Sequence, residues 1–282
     1  MYKNGCIAVI VEGENREIKY FGNLVSLFFP PEKVLLLCLP AGENIYMLWK
    51  RLSADNFETD IIEVLRESSK CAKDKLQNFT RQDLQEVYLF FDLDSHQNNL
   101  KKDENPDDIL KQMLETFDNE TENGKLYISY PMCEALRDIQ EGTCQSTYRC
   151  SLDATDISKF KEHSATYSKF VSVKKYTVET WKMIIAIFLI RCQCLFCVET
   201  TDQAYHWYKR HVTTMNIFEK EQMLIHSSQQ VFVLSAFPEF LVDYFKEDFW
   251  QNLNDVLSSV NRPNCLNDPT QSEQRNVNVP FG

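Results

Sequence analysis

Two apolar runs that each end in acids constrain this chain more than any other feature. The first, Ile7-Ala8-Val9-Ile10-Val11, closes on Glu12-Gly13-Glu14, and the second, Val87-Tyr88-Leu89-Phe90-Phe91, closes on Asp92-Leu93-Asp94. Apolar residues in succession, without polar alternation, predict strands covered on both faces, the condition of a parallel sheet packed between helices. Ligands of open parallel sheets bind beyond the carboxyl ends of the strands, so both groups of acids fall where a site is expected. Carboxylates gathered at one sheet edge repel one another unless a cation neutralises them, and hard oxygen ligands suit Mg²⁺ or Mn²⁺. The pattern predicts a metal site.

The intervening sequence alternates in the manner of an α/β fold. Ile18, Phe21, Leu24, Val25 and Phe28 recur at helical spacing before Pro30-Pro31, and an apolar strand follows at 33–39. Helical segments are expected at 44–54 and 59–76, and a third strand at 86–91. Asn105 can cap the next helix, Pro106 suits its first position, and Asp107 and Asp108 complement its dipole. A strand at 125–129 leads to Pro131 and a helical turn carrying Glu134. Residues 1–150 are thus expected to form a mainly parallel sheet flanked by helices. From 151 to 261 the pattern turns mostly helical, at 156–167, 178–200, 202–212, 216–227 and 238–259, with 229–235 either a short strand or a helix continuation. Residues 262–282, rich in Pro, Asn, Ser and Gln, offer little to bury and are expected to be a disordered tail.

The net charge of −11 at first opposes a role with nucleic acid, but its distribution matters more than its sum. Residues 1–150 carry 17 Lys/Arg against 26 Asp/Glu, and residues 151–282 carry 13 against 15, so the acidity lies with the candidate metal half. In the second half Lys159, Lys161, Lys169, Lys174, Lys175 and Lys182 alternate with Tyr167, Phe170, Tyr176 and Trp181. Such a stretch either grips phosphates and stacks bases or is a solvated face whose aromatics enter the core. The ten cysteines follow no disulfide-like spacing. With no secretory signal at the amino terminus, they suggest free thiols in a cytoplasmic protein. Cys192, Cys194 and Cys197, with His206 and His211 downstream, are spaced poorly for zinc and read as core thiols. The apolar stretch from Trp181 to Val198 carries Lys182 and Arg191, which predicts a core helix and no membrane span.

Glu12-Gly13 at a strand end, a following helix with Glu17, and Asp92-Leu93-Asp94 at another strand end together resemble the Toprim domain of topoisomerases, bacterial primases and OLD-type nucleases. Glu12-Gly13-Glu14-Asn15-Arg16-Glu17-Ile18-Lys19-Tyr20-Phe21 is similar to the acid-Gly-x-x-x-acid-x-x-Tyr-Phe signature of RloB-like Toprim proteins of bacterial phage defence. Pro131-Met132-Cys133-Glu134 resembles their later Pro-x-x-Glu element, and the likeness extends to the Toprim effectors of the PARIS defence system. It covers residues 5 to about 140. Arg16 stands where relatives often carry Thr.

The resemblance implies that Asp92 and Asp94 hold Mg²⁺ and that Glu12 is a further ligand or a general base. Glu17 and Glu134 would complete a second metal position. Lys174 and Lys175 are candidates for the scissile phosphate, and His96 for proton transfer. The implied activity is that of a metal-dependent endonuclease, the toxic effector of abortive infection, cutting RNA such as tRNA. An ATPase partner would restrain it until infection, and the active form would be a homodimer. An OLD-type DNA nickase and a non-catalytic subunit with structural carboxylates are the alternatives.

Overall fold

The computed structural model describes residues 5–13, 16–40, 42–93, 100, 104–139, 150–166, 170, 172–198, 203–250 and 252–259. Asp94, His96, Lys169, Tyr167 and the expected tail lie outside the described residues. The first apolar run forms β1 (Cys6–Val11), buried along its whole length. Helix α1 (Arg16–Phe28) follows and buries Tyr20, Phe21 and Leu24. β2 (Val34–Cys38) pairs with one side of β1 and β3 (Leu84–Asp92) with the other, both parallel, so that Val9 lies level with Leu36 and Tyr88. β5 (Gly124–Ser129) extends the parallel sheet beyond β3, and the two-residue β4 (Asp118–Asn119) closes its edge antiparallel. The sheet order is β2-β1-β3-β5-β4. The chain leaves β1 toward β2 and then crosses back to β3, which makes the gap between the carboxyl ends of β1 and β3 the topological switch point.

Between β2 and β3 lie α2 (Ile45–Ser53), α3 (Ile61–Ser68) and α4 (Lys70–Leu76). The helix expected over 59–76 is therefore two. Ser69 breaks it with extended backbone, and its hydroxyl accepts the N–H of Ala72 at 3.1 Å, which starts α4. Helix α5 (Pro106–Thr116) begins as expected, with the Asn105 side chain accepting the Asp107 N–H at 3.1 Å.

The later part of the chain shares the core of the sheet, and one buried hydrophobic cluster runs from Cys6 to Leu257. β6 (Ser151–Asp153) pairs antiparallel with β7 (Gln230–Phe232), so the ambiguous 229–235 segment is a strand. Beyond it Tyr130 and Leu234 exchange backbone hydrogen bonds of 2.7 and 2.9 Å, tying this small sheet to the end of β5. α6 (Ile157–His163), α7 (Val178–Leu195), α8 (Ala204–His211) and α9 (Thr214–Ser228) supply the helical layer. α10 (Ala236–Tyr244) lies directly on the sheet, where Phe237 and Phe240 meet Phe90 with ring centroids 5.7 and 5.4 Å away. The helix expected over 238–259 stops at Tyr244, because Phe245, Phe249 and Trp250 fold back around Phe28 before α11 (Leu253–Ser259). α7 is buried almost throughout, and no helix among the described residues is long and apolar enough to cross a membrane.

Two acids are sealed in this layer. Glu221 on α9 and Glu239 on α10 are 0% and 2% exposed, and burial pushes both carboxyls well above the usual range. Burial likewise pushes the phenol of Tyr130 and the thiol of Cys192 well above their ordinary ranges. Neutral carboxylic acids are the form in which such groups enter a core without a paired cation.

Candidate metal centre

Three adjacent parallel strands deliver the site. Glu17 stands in the first turn of α1 after β1, Asp92 ends β3, and Cys133 opens the turn that follows β5. One ligand atom from each of these three residues lies within 4.8 Å of the other two. Burial and the nearby Asp92 and Glu17 charges push the Cys133 thiol well above its ordinary range. Tyr20, beneath the same turn, is raised to about 12, first by burial and then by Cys133. Two carboxylates and a thiol converging at this separation fit a divalent cation, and a bound cation would favour the thiolate. The sulfur donor widens the choice from Mg²⁺ toward Mn²⁺, Co²⁺ and Zn²⁺.

Gly13 is part of the construction. A Cβ at that position would collide with the Glu17 carboxylate. The glycine therefore leaves room for a candidate ligand.

Glu12 is half-buried one residue past Val11, which pairs with Phe90, and so it shares this sheet edge without joining the three-residue cluster. Glu134 adjoins the cluster, for Cys133 Sγ–H donates to Glu134 Oε2 at 3.2 Å. Its other oxygen is held in an ion pair by Arg16. Lys174 and Lys175 are exposed in a turn against α1, where Asn23 Nδ2 donates to the Tyr176 carbonyl at 3.2 Å. That places them nearly two helical turns from Glu17 and outside the cluster.

Among the described residues, the basic and aromatic stretch divides in a way that removes base stacking by Phe170, Tyr176 and Trp181. Phe170, Tyr176 and Trp181 are buried at 1%, 4% and 0% exposure, while Lys159, Lys161, Lys174 and Lys175 remain on the surface. Lys182 is itself buried and pairs with Glu179 at 3.0 Å. Cys192 and Cys194 are buried in α7 and Cys197 is exposed, and the only metal-capable trio among the described residues is Glu17, Asp92 and Cys133. Sequence reasoning missed Cys133 as a donor. Its signal was its place, a thiol preceding the acid of a strand-end motif.

No family model, no curated protein and no solved structure matches this chain.

Proposed function

We propose that this chain is a metal-dependent endonuclease of Toprim type, cutting phosphodiesters at Glu17, Asp92 and Cys133. The observation that carries the reading is the convergence of these donors at the switch point of a parallel sheet. Motif order adds to it, because Glu12-Gly13 and Glu17 come after β1 and Asp92 ends β3, the order that the resemblance carries. A bound Mn²⁺ or Mg²⁺ would supply Lewis-acid stabilisation of the charge that builds on the phosphate oxygens. Glu12, beside the donors, is assigned the proton of the attacking water or hydroxyl. The new oxygen–phosphorus bond forms as the bond to the leaving oxygen breaks, and that oxygen takes its proton from solvent water, while Glu12 returns the proton it accepted to solvent.

Charge bears on the substrate. An excess of acids over residues 1–150 fits restraint and selective docking better than indiscriminate binding to polyanions, and RNA such as tRNA as the substrate rests on the resemblance. In this reading the protein is a cytoplasmic toxic effector of phage defence, restrained by an ATPase partner and active as a homodimer. Purified chain incubated with tRNA and with supercoiled plasmid in Mn²⁺ or Mg²⁺ tests the assignment. Cutting of tRNA, lost in Asp92→Asn, is the expected result. Plasmid nicking without tRNA cleavage would instead assign an OLD-type nickase, and failure to cut either would leave a non-catalytic subunit.

A further inference from the structure

Glu134 is the acid with the least contact with water at this edge, its side chain 3% exposed against 39% for its partner Arg16. A carboxyl taken that far from solvent either keeps its proton, as Glu221 and Glu239 do, or has a cation beside it. The cation present is the Arg16 guanidinium. Arg16 Nη1 and Glu134 Oε1 are both buried atoms, and among the described residues neither has a hydrogen-bond partner beyond the pair they form. Two chain connections fix this pair against the metal-capable trio. Arg16 immediately precedes Glu17, and Glu134 immediately follows Cys133, whose thiol donates to Glu134 Oε2 at 3.2 Å.

We propose that the Arg16 guanidinium is the fixed second cation of this centre, so that the site takes one divalent ion and no more. This rests on the metal-centre reading given above. A second ion at Glu134 would have to displace a bound guanidinium, and any ion placed near the intact pair would meet its positive charge. The remaining guanidinium N–H groups are the donors that the Nη1–Glu134 pair leaves over on a side chain that is 39% exposed. They can donate to a nonbridging phosphate oxygen, as planar, permanently charged groups do best. Arg16 thereby does two things a second metal ion would do: it neutralises Glu134 and it presents positive charge to the phosphate. It makes no bond to the single metal.

Counting Mn²⁺ per full-length chain, by calorimetry and by the spin-coupled electron paramagnetic resonance of paired Mn²⁺, tests this without reference to activity. Wild type is expected to bind one uncoupled ion. Arg16→Met, which removes the charge and keeps the bulk, is expected to gain a second ion with a coupled signal. Arg16→Lys should return the count to one. Two ions in the wild type, or one ion in a folded Arg16→Met, would overturn the proposal and leave the metal centre standing. Absence of any bound ion in the wild type would overturn both. Should Arg16→Met fail to fold, Glu134→Gln decides: an unchanged count of one supports the proposal, and loss of the ion contradicts it by making Glu134 a ligand.

Discussion

Replacing Glu221 with glutamine is expected to stabilise the protein relative to wild type by an amount that grows with pH. Glu221 is 0% exposed, its Oε2 accepts the Phe232 N–H at 3.1 Å, and its Oε1 has no hydrogen-bond partner among the described residues. Burial raises its pKa well above 4.5, opposed only by the Phe232 hydrogen bond. The folded chain then keeps a proton that the unfolded chain releases. Because the folded pKa is the higher one, stability is fully present below the unfolded pKa and falls as pH rises toward the folded pKa. The slope is about 1.4 kcal/mol per pH unit for one group wherever the unfolded chain is ionised and the folded chain still holds the proton. Glutamine does not titrate, and its carbonyl oxygen retains the acceptor for Phe232. Urea unfolding of both proteins at pH 5, 6 and 7 cancels every other titration and isolates this one. A difference in unfolding free energy that stays constant across the three pH values would refute the reasoning, for Glu221 would then be ionised in the folded protein.

Gly13→Ala is expected to weaken Mn²⁺ binding by about 10-fold to 100-fold with little change in unfolding midpoint, because the new Cβ displaces the Glu17 carboxylate; calorimetry beside thermal unfolding reads both. Cys133→Ser should abolish the thiolate-to-metal charge-transfer band of the Co²⁺ complex and shift preference from Zn²⁺ toward Mg²⁺, and an unchanged spectrum would remove Cys133 from the centre. Phe90→Ala should cost about 3 to 5 kcal/mol by denaturant unfolding. Phe90 touches Phe21, Tyr127, Phe237 and Phe240, so the sheet and α10 should unfold together in one transition.

The sheet was legible because its strands are buried on both faces, so Ile7 to Val11 and Val87 to Phe91 stand out as unbroken apolar runs. Asn105 and the Pro106 that follows it announced α5 for the same local reason, that a cap and its first helical residue are neighbours in sequence. What escaped was decided by distant partners. Tyr244 ends α10 because rings from α1 and from beyond α10 gather at Phe28, a contact no window of sequence contains. β6 is a three-residue strand whose partner lies far along the chain in β7. In the site, Asp92 could be nominated from its strand-end position and Glu17 from the motif that carries the resemblance. Cys133 and the Arg16–Glu134 pair needed the turn after β5 to be folded against α1. The burial of Phe170, Tyr176 and Trp181 likewise depended on which face of the chain met α1 and α7.

The most direct test is Mn²⁺ titration of the wild type and of Asp92→Asn by calorimetry, with circular dichroism to confirm that both are folded. The account predicts saturable binding by the wild type and a loss of at least about 100-fold in affinity when Asp92 is neutralised. Equal binding by the two proteins, or none by either, would contradict a metal centre at the ends of β1, β3 and β5.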